Sequence, residues 1–272
     1  MTTERSEKSS FSPSLADRVA IVTGAGRGIG RGIARCLARA GAEVVIVDQA
    51  EDRIAVVVAE VEGLGRRGFG VSADVARADD VKHLVREALE RFGKIDILVN
   101  NAGIGPAQRS FADLDPASFD RMIAINLTGV FNGVAAFAAD MRERGRGHIV
   151  NTSSTAGLTF SPRGAGAYTV AKHGVVSMSE TLRHELAPHG VGVSVLCPGL
   201  VATNLPRSTH RMSGVGDPTA SMPDMAIDPA LVGELVADAI GQDLPYILTH
   251  PEYWPAIEKR QKAVEAAFHA KS

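Results

Sequence analysis

Tyr168 and Lys172 place a phenol and an ammonium four positions apart in the chain. On a helix, positions i and i+4 lie on the same face, so the two groups would be neighbours. A positive charge beside a phenol favours the phenolate and lowers the phenol pKa from its ordinary value of about 10. A phenol tuned in this way can act as a general acid or base. Because this spacing is common by chance, the surrounding elements decide its meaning.

The composition describes a chain of 272 residues, 45% hydrophobic, with 29 basic and 31 acidic residues. This length and hydrophobic share are typical of one large α/β domain. The net charge of -2 argues against nucleic-acid binding, and no apolar run reaches the roughly 20 residues of a membrane span. Cys36 and Cys197 lie in apolar contexts and are predicted to be buried thiols. We therefore expect a cytoplasmic protein.

Short β-branched runs alternate with longer helical patterns along the chain. The runs are continuous rather than alternating, which is typical of strands buried on both faces of a parallel sheet. The alternation predicts an α/β fold with a doubly wound, parallel sheet of about seven strands flanked by helices. The predicted strands lie near residues 19–22, 44–47, 68–71, 95–99, 148–150, 193–196 and 246–248, and the predicted helices near 28–40, 51–64, 78–92, 116–143, 166–187, 229–241 and 252–269.

Two segments fall outside this alternation. Residues 1–15 are polar and rich in serine, and we predict a flexible N-terminal tail rather than a secretory signal. Residues 16–272 form the single predicted domain. Within it, residues at about 200–227 carry three prolines and two glycines without periodicity, which predicts a lid or binding loop over the substrate.

The first predicted strand runs directly into a glycine-rich turn, Gly24-Ala25-Gly26-Arg27-Gly28-Ile29-Gly30, where a helical pattern begins. Glycine permits a tight turn and a close approach of the backbone to a ligand. A helix N-terminus offers N–H groups and a positive dipole end to a pyrophosphate. This strand–turn–helix context favours a dinucleotide site over a merely structural turn.

Asp48 ends the second predicted strand, 18 residues after Gly30. An acid at this place can accept hydrogen bonds from both ribose hydroxyls of NAD and would repel the 2′-phosphate of NADP. Its alternative role is to cap the helix that follows. Arg27 in the glycine turn could serve a 2′-phosphate, which keeps NADP as an alternative. We favour NAD, because repulsion between a carboxylate and a phosphate is hard to offset.

The ordered motifs resemble those of the short-chain dehydrogenase/reductase family over about residues 16–250. Gly24, Gly28 and Gly30 match its glycine loop, and Tyr168 with Lys172 matches its Tyr-x-x-x-Lys pair. The resemblance implies a Rossmann-type domain that uses a nicotinamide dinucleotide. The other matching segments are Asp74-Val75 beside the adenine, Asn100-Asn101-Ala102-Gly103 after the fourth strand, Ile125-Asn126-Leu127-Thr128-Gly129, Asn151-Thr152-Ser153-Ser154, and Pro198-Gly199 with Val201 and Thr203 at the nicotinamide amide.

The resemblance also implies hydride transfer between a secondary alcohol and a ketone. Tyr168 would be the general acid–base, Lys172 would lower the Tyr168 pKa and hold the nicotinamide ribose, and Ser154 would donate to the substrate oxygen. Asn126 would link Lys172 to solvent through its backbone carbonyl and a water. The family serine usually precedes the tyrosine by thirteen residues, whereas here Ser154 precedes it by fourteen and Ser153 by fifteen. We choose Ser154, the second of the pair, and keep Ser153 as the alternative.

Substrate and assembly are less strongly indicated. The predicted lid contains methionines, whose side chains adapt to irregular apolar shapes. They are equally consistent with a hydrophobic or cyclic substrate and with simple packing of the lid on the domain. The family resemblance implies a homotetramer or a homodimer. Ile257, Val264 and Phe268 form an apolar stripe on the last predicted helix, and such a stripe more often packs on its own domain than on a partner.

Three other interpretations are weaker. A non-catalytic NAD-binding protein on this fold would typically lose the tyrosine or the lysine. A dehydratase, an epimerase or a dehalogenase would keep the fold, but dehalogenating relatives lose the glycine loop, which is intact here. The eight histidines show no metal-ligand spacing, so we expect no metal site.

Overall fold

A computed structural model describes residues 14–160, 164–203, 205 and 226–270. All seven predicted strands form, and all of them pair in parallel. They are β1 (Val19–Thr23), β2 (Glu43–Asp48), β3 (Gly68–Ser72), β4 (Ile97–Asn100), β5 (Gly147–Thr152), β6 (Val191–Cys197) and β7 (Tyr246–Leu248). Their order across the sheet is β3-β2-β1-β4-β5-β6-β7. The chain therefore reverses its winding direction between β1 and β4, where open α/β sheets bind ligands.

Helices connect the strands and cover both faces of the sheet, as predicted. They are α1 (Gly28–Arg39), α2 (Glu51–Gly63), α3 (Ala78–Phe92), α4 (Pro116–Ile123), α5 (Gly129–Arg144), α6 (Gly166–Leu186), α7 (Pro229–Gln242) and α8 (Trp254–His269). Neighbouring residues of a strand point to opposite faces, so each strand feeds two cores. Ala20 and Val22 pack with α1, α2 and α7, whereas Val19 and Ile21 pack with α3, α5 and α6.

The crossing of α1 and α7 brings the backbones of the two helices into direct contact. A Cβ atom built on Gly32 would lie 2.3 Å from the carbonyl oxygen of Pro229, and one on Gly233 would lie 2.6 Å from the carbonyl oxygen of Gly32. Only glycine admits such an approach of the two backbones. Because α1 begins at the glycine-rich turn, this crossing also fixes the position of that turn.

The helical stretch Pro116–Arg144 contains α4, a π turn at Ala124–Thr128 and α5. Asp115 caps its start by accepting a hydrogen bond from the Ser118 N–H at 2.8 Å. The stretch is long and apolar enough to cross a membrane, a property that the sequence analysis did not anticipate. In the fold, however, its side chains Met122, Phe137 and Met141 are buried in the core. This is the environment of a core helix in a soluble domain.

Two predicted segments are described only in part. Most of the predicted lid, including Met212, Met222 and Met225, and the first thirteen residues of the predicted tail lie outside the described residues. The two ends of the lid are nevertheless joined, because Ala202 N–H donates to Ile227 and Ile227 N–H donates to Leu200. Ala202 and Ile227, on either side of this part of the chain, are therefore neighbours in the fold.

The C-terminal stripe differs from expectation. Ile257 packs on the domain, but Val264 and Phe268 are exposed, so most of the stripe of α8 does not pack on the part of the chain that the structure describes. Cys36 and Cys197 are buried free thiols, as predicted.

Candidate active site

A cleft of about 420 Å³ runs along the carboxyl ends of the central strands. Every site residue predicted from the sequence lines it, from Gly24 in the first βα turn to Thr203 after β6. From the end of β2 to the end of β5 the cleft crosses three strand spacings, roughly 14 Å. It also has walls that sequence reasoning did not name: Val47, Gln49, Ala50, Arg53, Ala73 and Ile104. Further wall residues belong to segments already named, the matched motifs and the predicted lid: Ile125, Thr152, Leu200 and Leu205.

The glycine-rich turn is shaped by contacts within the protein. Gly24 and Gly28 have positive φ angles of 63° and 53°, which favour glycine. A Cβ atom on Gly30 would lie 2.3 Å from the carbonyl oxygen of Gly24. The side chain of the N-cap residue Arg27 makes no cap hydrogen bond to the first turn of α1, and no acidic residue stands in that turn. Its N–H groups and positive dipole end are thus suited to an anion.

Thr23 and Asn101 join this turn to the end of β4. The Thr23 hydroxyl accepts hydrogen bonds from Asn101 N–H at 2.9 Å and Ala102 N–H at 3.0 Å. The Asn101 side-chain amide donates to the Thr23 carbonyl oxygen at 2.9 Å. The Asn101 side chain therefore joins the end of β4 to the end of β1 at the base of the cleft. Thr23 was not predicted as a site residue, although its position at the end of β1 was visible in the sequence.

Asp48 lines the cleft and binds backbone N–H groups, but it is not the cap of α2, whose N-cap residue is Ala50. One carboxylate oxygen accepts from Gly26 N–H at 3.1 Å, and the other accepts from Gln49 N–H and Ala50 N–H at 2.9 and 3.2 Å. The carboxylate thus fixes the glycine-rich turn and the residues just before α2 while it lines the cleft. Arg27 and Arg53 line the same end of the cleft, so both signs of charge are present there.

Asp74 and Val75 form the next wall. Asp74 N–H donates to the Asp80 carboxylate at 2.9 Å, and the Val75 carbonyl oxygen accepts from the Asn132 side-chain amide at 2.8 Å. The Val75 side chain also packs against Gly129, where a Cβ atom would lie 2.8 Å from it. Helices α3 and α5 therefore set the position of the segment after β3.

Tyr168 and Lys172 lie near the start of α6 on its cleft-facing side. Lys172 is buried, and its ammonium donates to the Thr152 carbonyl oxygen at 2.8 Å. Burial lowers the Lys172 pKa from its ordinary value to about 8. The predicted helical pairing of the two residues is present in the structure.

The expected lowering of the Tyr168 pKa is not present, and this corrects the sequence interpretation. Burial raises the pKa of Tyr168 above its ordinary value, and a hydrogen bond with the Ser154 hydroxyl opposes that effect only in part. The Lys172 ammonium lies 5.6 Å from the centre of the Tyr168 ring and is engaged by Thr152. Burial, which spacing does not reveal, is therefore the dominant influence on this phenol.

The two candidate serines have different surroundings. Ser153 is buried, and its hydroxyl donates to the Lys172 carbonyl oxygen at 2.8 Å. Ser154 is only partly buried, and its hydroxyl faces Tyr168, accepts from Ala156 N–H at 3.2 Å and lies 3.4 Å from the Pro198 carbonyl oxygen. Ser154 is thus the serine beside the phenol, whereas Ser153 ties β5 to α6.

Asn126 lies in the π turn and is fully buried. Its side chain donates to and accepts from the backbone of Ile104, both at 3.0 Å. A Cβ atom on Gly103 would lie 2.6 Å from the Asn126 side-chain oxygen and 3.7 Å from the Lys172 ammonium. The Asn126 side chain therefore fixes the segment after β4 beside Lys172. Only the backbone of Asn126 remains for the predicted link between Lys172 and solvent.

The segment after β6 closes the far end of the cleft. The Pro198 carbonyl oxygen accepts from Thr155 N–H at 3.0 Å, and Gly199 N–H donates to the Thr249 hydroxyl at 3.0 Å. A Cβ atom on Gly199 would lie 2.7 Å from the His250 ring. Thr249 and His250 were not predicted, because they follow β7 and approach the site only through the fold. Among the described residues, no group of three His, Cys, Asp or Glu side chains is arranged to hold a metal ion.

Sequence comparison places this site in a family. Residues 18–213 match the short chain dehydrogenase family. The chain belongs to that family. It is 37% identical to the oxidoreductase UcpA of Salmonella typhimurium over 241 residues, which cover 86% of this chain and 91% of UcpA. It is 42% identical to the probable oxidoreductase EphD of Mycobacterium tuberculosis over 197 residues, 72% of this chain but only 33% of EphD. The chain thus spans about a third of the length of EphD.

Solved structures show the same fold. A short chain dehydrogenase/reductase from Burkholderia phymatum in complex with NAD has a TM-score of 0.84 at 33% identity, covering 93% of this chain and 96% of that protein. A metagenomic short-chain oxidoreductase in complex with NADP has a TM-score of 0.73 at 32% identity, covering 88% and 98%. Structural relatives of this chain therefore bind either dinucleotide.

Proposed function

We propose that the protein is an NAD(H)-dependent oxidoreductase that interconverts a secondary alcohol and a ketone, with a hydrophobic or cyclic substrate. The observation that carries the proposal is a single cleft that holds the Gly24–Gly30 turn and Asp48 at one end and Ser154, Tyr168 and Lys172 at the other. The free buried thiols and the soluble fold support a cytoplasmic enzyme that acts on a small molecule.

The residues present suit a nicotinamide dinucleotide. The first turn of α1 would receive the pyrophosphate, and Asp48 would accept from the ribose hydroxyls at the adenosine end. Lys172 would hold the second ribose, and Pro198 to Thr203 would hold the nicotinamide amide. When bound, the dinucleotide accepts or supplies the hydride.

The protein residues would handle the proton and the substrate oxygen. Tyr168 would take the hydroxyl proton during oxidation and return it to the oxygen during reduction. Ser154 would donate a hydrogen bond to the same oxygen, where negative charge develops. Lys172 would carry positive charge below about pH 8, next to the phenol that must ionise. The backbone of Asn126 would connect Lys172 to solvent.

NADP is the second candidate, because Arg27 and Arg53 line the adenosine end of the cleft beside Asp48. Two guanidinium groups can bind a phosphate bidentately. Against this, Asp48 is held in place by three backbone N–H groups, so it cannot turn away from a 2′-phosphate without releasing the glycine-rich turn. This fixed carboxylate is our reason for preferring NAD.

A spectrophotometric screen tests the proposal. Purified protein is mixed with NAD or NADP and a panel of cyclic, aromatic and linear secondary alcohols, and the reduced cofactors are mixed with the matching ketones. We expect turnover with NAD(H), at a kcat/KM at least about tenfold above that with NADP(H) for the same substrate. A preference for NADP(H) would refute the cofactor assignment. Binding of NAD without turnover of any alcohol or ketone would favour a non-catalytic binding protein.

A further inference from the structure

The peptide group between Pro198 and Gly199, which we call the 198–199 peptide, is held at both of its ends. Its carbonyl oxygen accepts a hydrogen bond from the Thr155 N–H at 3.0 Å, and its N–H donates to the Thr249 hydroxyl oxygen at 3.0 Å. The Ser154 hydroxyl lies 3.4 Å from the same carbonyl oxygen. The peptide plane therefore cannot rotate without breaking hydrogen bonds on two sides. The serine segment and the segment after β7 thus meet at one peptide group of the cleft wall.

The residue after Thr249 fixes the orientation of the Thr249 hydroxyl. The hydroxyl oxygen lies 2.6 Å from Nδ1 of His250, so these two atoms share a hydrogen bond in addition to the one from Gly199. The His250 ring is 5% exposed and stands against Gly199, where a Cβ atom would lie 2.7 Å from the ring. The Tyr253 ring packs edge-on against it, with 6.0 Å between the ring centres. His250 is therefore held with Nδ1 toward the hydroxyl that binds the 198–199 peptide.

The other ring nitrogen of His250 has no comparable contact. Nε2 is buried and has no hydrogen-bond partner in the part of the chain that the structure describes. A buried polar atom without a partner costs free energy. An apolar side chain at this position would avoid that cost, but it could not form a hydrogen bond with the Thr249 hydroxyl. The contact through Nδ1 is therefore what the imidazole contributes beyond packing.

We propose that Thr249 and His250 are positioning residues for the nicotinamide end of the dinucleotide. The inference rests on the proposed function, in which Pro198 to Thr203 hold the nicotinamide amide. Thr249 fixes the plane of the 198–199 peptide, and His250 fixes the Thr249 hydroxyl. Neither residue is among the described residues that line the cleft, so both act through Gly199 rather than by touching the dinucleotide. Supporting hydrogen bonds of this kind keep a binding group in its productive geometry.

This role predicts an effect confined to one half of the dinucleotide. ADP-ribose carries the adenosine, the pyrophosphate and the second ribose of NAD but no nicotinamide ring. The groups proposed to bind these parts, the glycine-rich turn, Asp48 and Lys172, make their own hydrogen bonds elsewhere in the fold. A positioning residue for the nicotinamide amide should therefore change the affinity for NADH and leave the affinity for ADP-ribose unchanged. A residue that only stabilises the fold should change both affinities or neither.

Calorimetry with NADH and ADP-ribose tests the role of Thr249. Thr249→Val keeps the shape of the side chain and removes the hydroxyl, so the Gly199 N–H loses its acceptor. We expect the dissociation constant of NADH to rise about fivefold, the effect of one hydrogen bond, and that of ADP-ribose to stay within about twofold. Thr249→Ser retains a hydroxyl and should bind both ligands as the wild type does.

Thr159→Val is the matched control for the loss of a threonine hydroxyl. The Thr159 hydroxyl joins the same C-terminal segment, because it donates to the Ala256 carbonyl oxygen at 3.4 Å, but it does so at α8 rather than at Gly199. This variant should keep both dissociation constants within about twofold of the wild type. Urea unfolding checks that every variant is folded before its affinity is measured.

Two substitutions distinguish the ring nitrogens of His250. Asparagine places a polar atom near the position of Nδ1, and glutamine places one near that of Nε2. His250→Asn should keep the dissociation constant of NADH within about twofold of the wild type, whereas His250→Gln should raise it about as much as Thr249→Val does. Equal losses of affinity in the two His250 variants contradict the role of Nδ1.

The measurements also separate this inference from the proposed function. A wild-type protein that binds no NADH refutes the proposed function and the inference with it. If the wild type binds NADH, an unchanged NADH affinity in Thr249→Val overturns the inference and leaves the proposed function standing. An equal loss of affinity for NADH and for ADP-ribose in that variant has the same meaning.

Discussion

At Tyr168 the protein alone does not provide a lowered pKa. Burial raises the pKa of the phenol, and the same burial lowers the pKa of Lys172 to about 8. Both shifts disfavour charge in the cleft. If an oxidised nicotinamide binds as proposed, its positive charge would favour the phenolate of Tyr168. Under the proposed function, acid–base competence and cofactor binding are coupled.

Replacing Tyr168 with phenylalanine removes the hydroxyl and keeps the ring. We expect turnover to fall at least about 100-fold, because the variant loses the hydroxyl that would act as general acid and base. Binding of NAD, measured by calorimetry, should be nearly unchanged. Tyr246→Phe is the matched control, since Tyr246 lies on β7 outside the cleft, and it should keep its turnover. Near-normal turnover in Tyr168→Phe would reject the proposed mechanism.

The two serines can be separated by one substitution each. Ser154→Ala should lower kcat by roughly 10- to 1000-fold, since it removes a donor to the reacting oxygen. Ser153→Ala should keep kcat within a few-fold and cost about 1 kcal/mol of unfolding free energy, because it deletes a buried hydrogen bond to the Lys172 carbonyl oxygen. Steady-state kinetics and urea unfolding measure both. The opposite result would make Ser153 the catalytic serine.

At the scale of elements, the position of the site depends on helix contacts and on one irregular turn. The close crossing of α1 and α7 holds the glycine-rich turn, and the π turn between α4 and α5 holds Asn126 against Ile104. Neither feature involves a side chain that would act on the substrate. Both features determine the positions of the residues that we propose act on the substrate.

Gly32→Ala tests the crossing. The added methyl would lie 2.3 Å from the Pro229 carbonyl oxygen, so α1 and α7 must separate. Overpacking of about 1–3 kcal/mol should outweigh the roughly 1 kcal/mol that alanine gains in a helix. We expect a lower Tm by thermal unfolding. Gly63→Ala, at the end of α2 with nothing within 4 Å of the new methyl, is the control and should leave Tm unchanged or slightly higher. An unchanged Tm for Gly32→Ala would mean that the crossing is not tight.

The sequence predicted the regular strands and helices better than the irregular features, such as the π turn. All seven strands and their intervening helices were predicted, because buried β-branched runs and helical periodicity are local signals. The fourth strand begins at Ile97 rather than at residue 95, although the Asp96 backbone still donates to Val19 and accepts from His148. The π turn and the approach of His250 to Gly199 leave no local pattern. The raised pKa of Tyr168 likewise depends on burial, which only the assembled fold creates.

At the scale of the whole molecule, a buried histidine links folding to pH. His148 lies in β5, 2.8 Å from the Ser194 hydroxyl and 3.9 Å from the Asp243 carboxylate. Burial lowers its pKa to about 4, although Asp243 acts in the raising direction. In the unfolded chain the pKa is about 6.5. Between these values the unfolded chain binds a proton that the folded chain does not, so stability falls as pH falls from about 6.5 to about 4.

His148→Gln should remove this part of the pH dependence. In the wild type, His148 should account for a loss on the order of 3 kcal/mol of unfolding free energy as the pH falls from 7 to 4. Urea unfolding at several pH values measures it, and the variant should show a shallower slope. His269→Gln, at the exposed end of α8, is the control and should keep the wild-type slope. An unaltered slope in His148→Gln would indicate that the ring is protonated in the folded chain.

The strand order also has a consequence for biosynthesis. The three strands β3, β2 and β1 and the glycine-rich turn belong to the first 72 residues, whereas β4, the neighbour of β1 on its other side, begins at Ile97. A chain emerging from the ribosome can therefore complete one half of its sheet while the inner edge of β1 stays open. That edge is a ready template for wrong pairing until β4 arrives. The glycine-rich turn is thus made early, before the segments that carry Ser154, Tyr168 and Lys172.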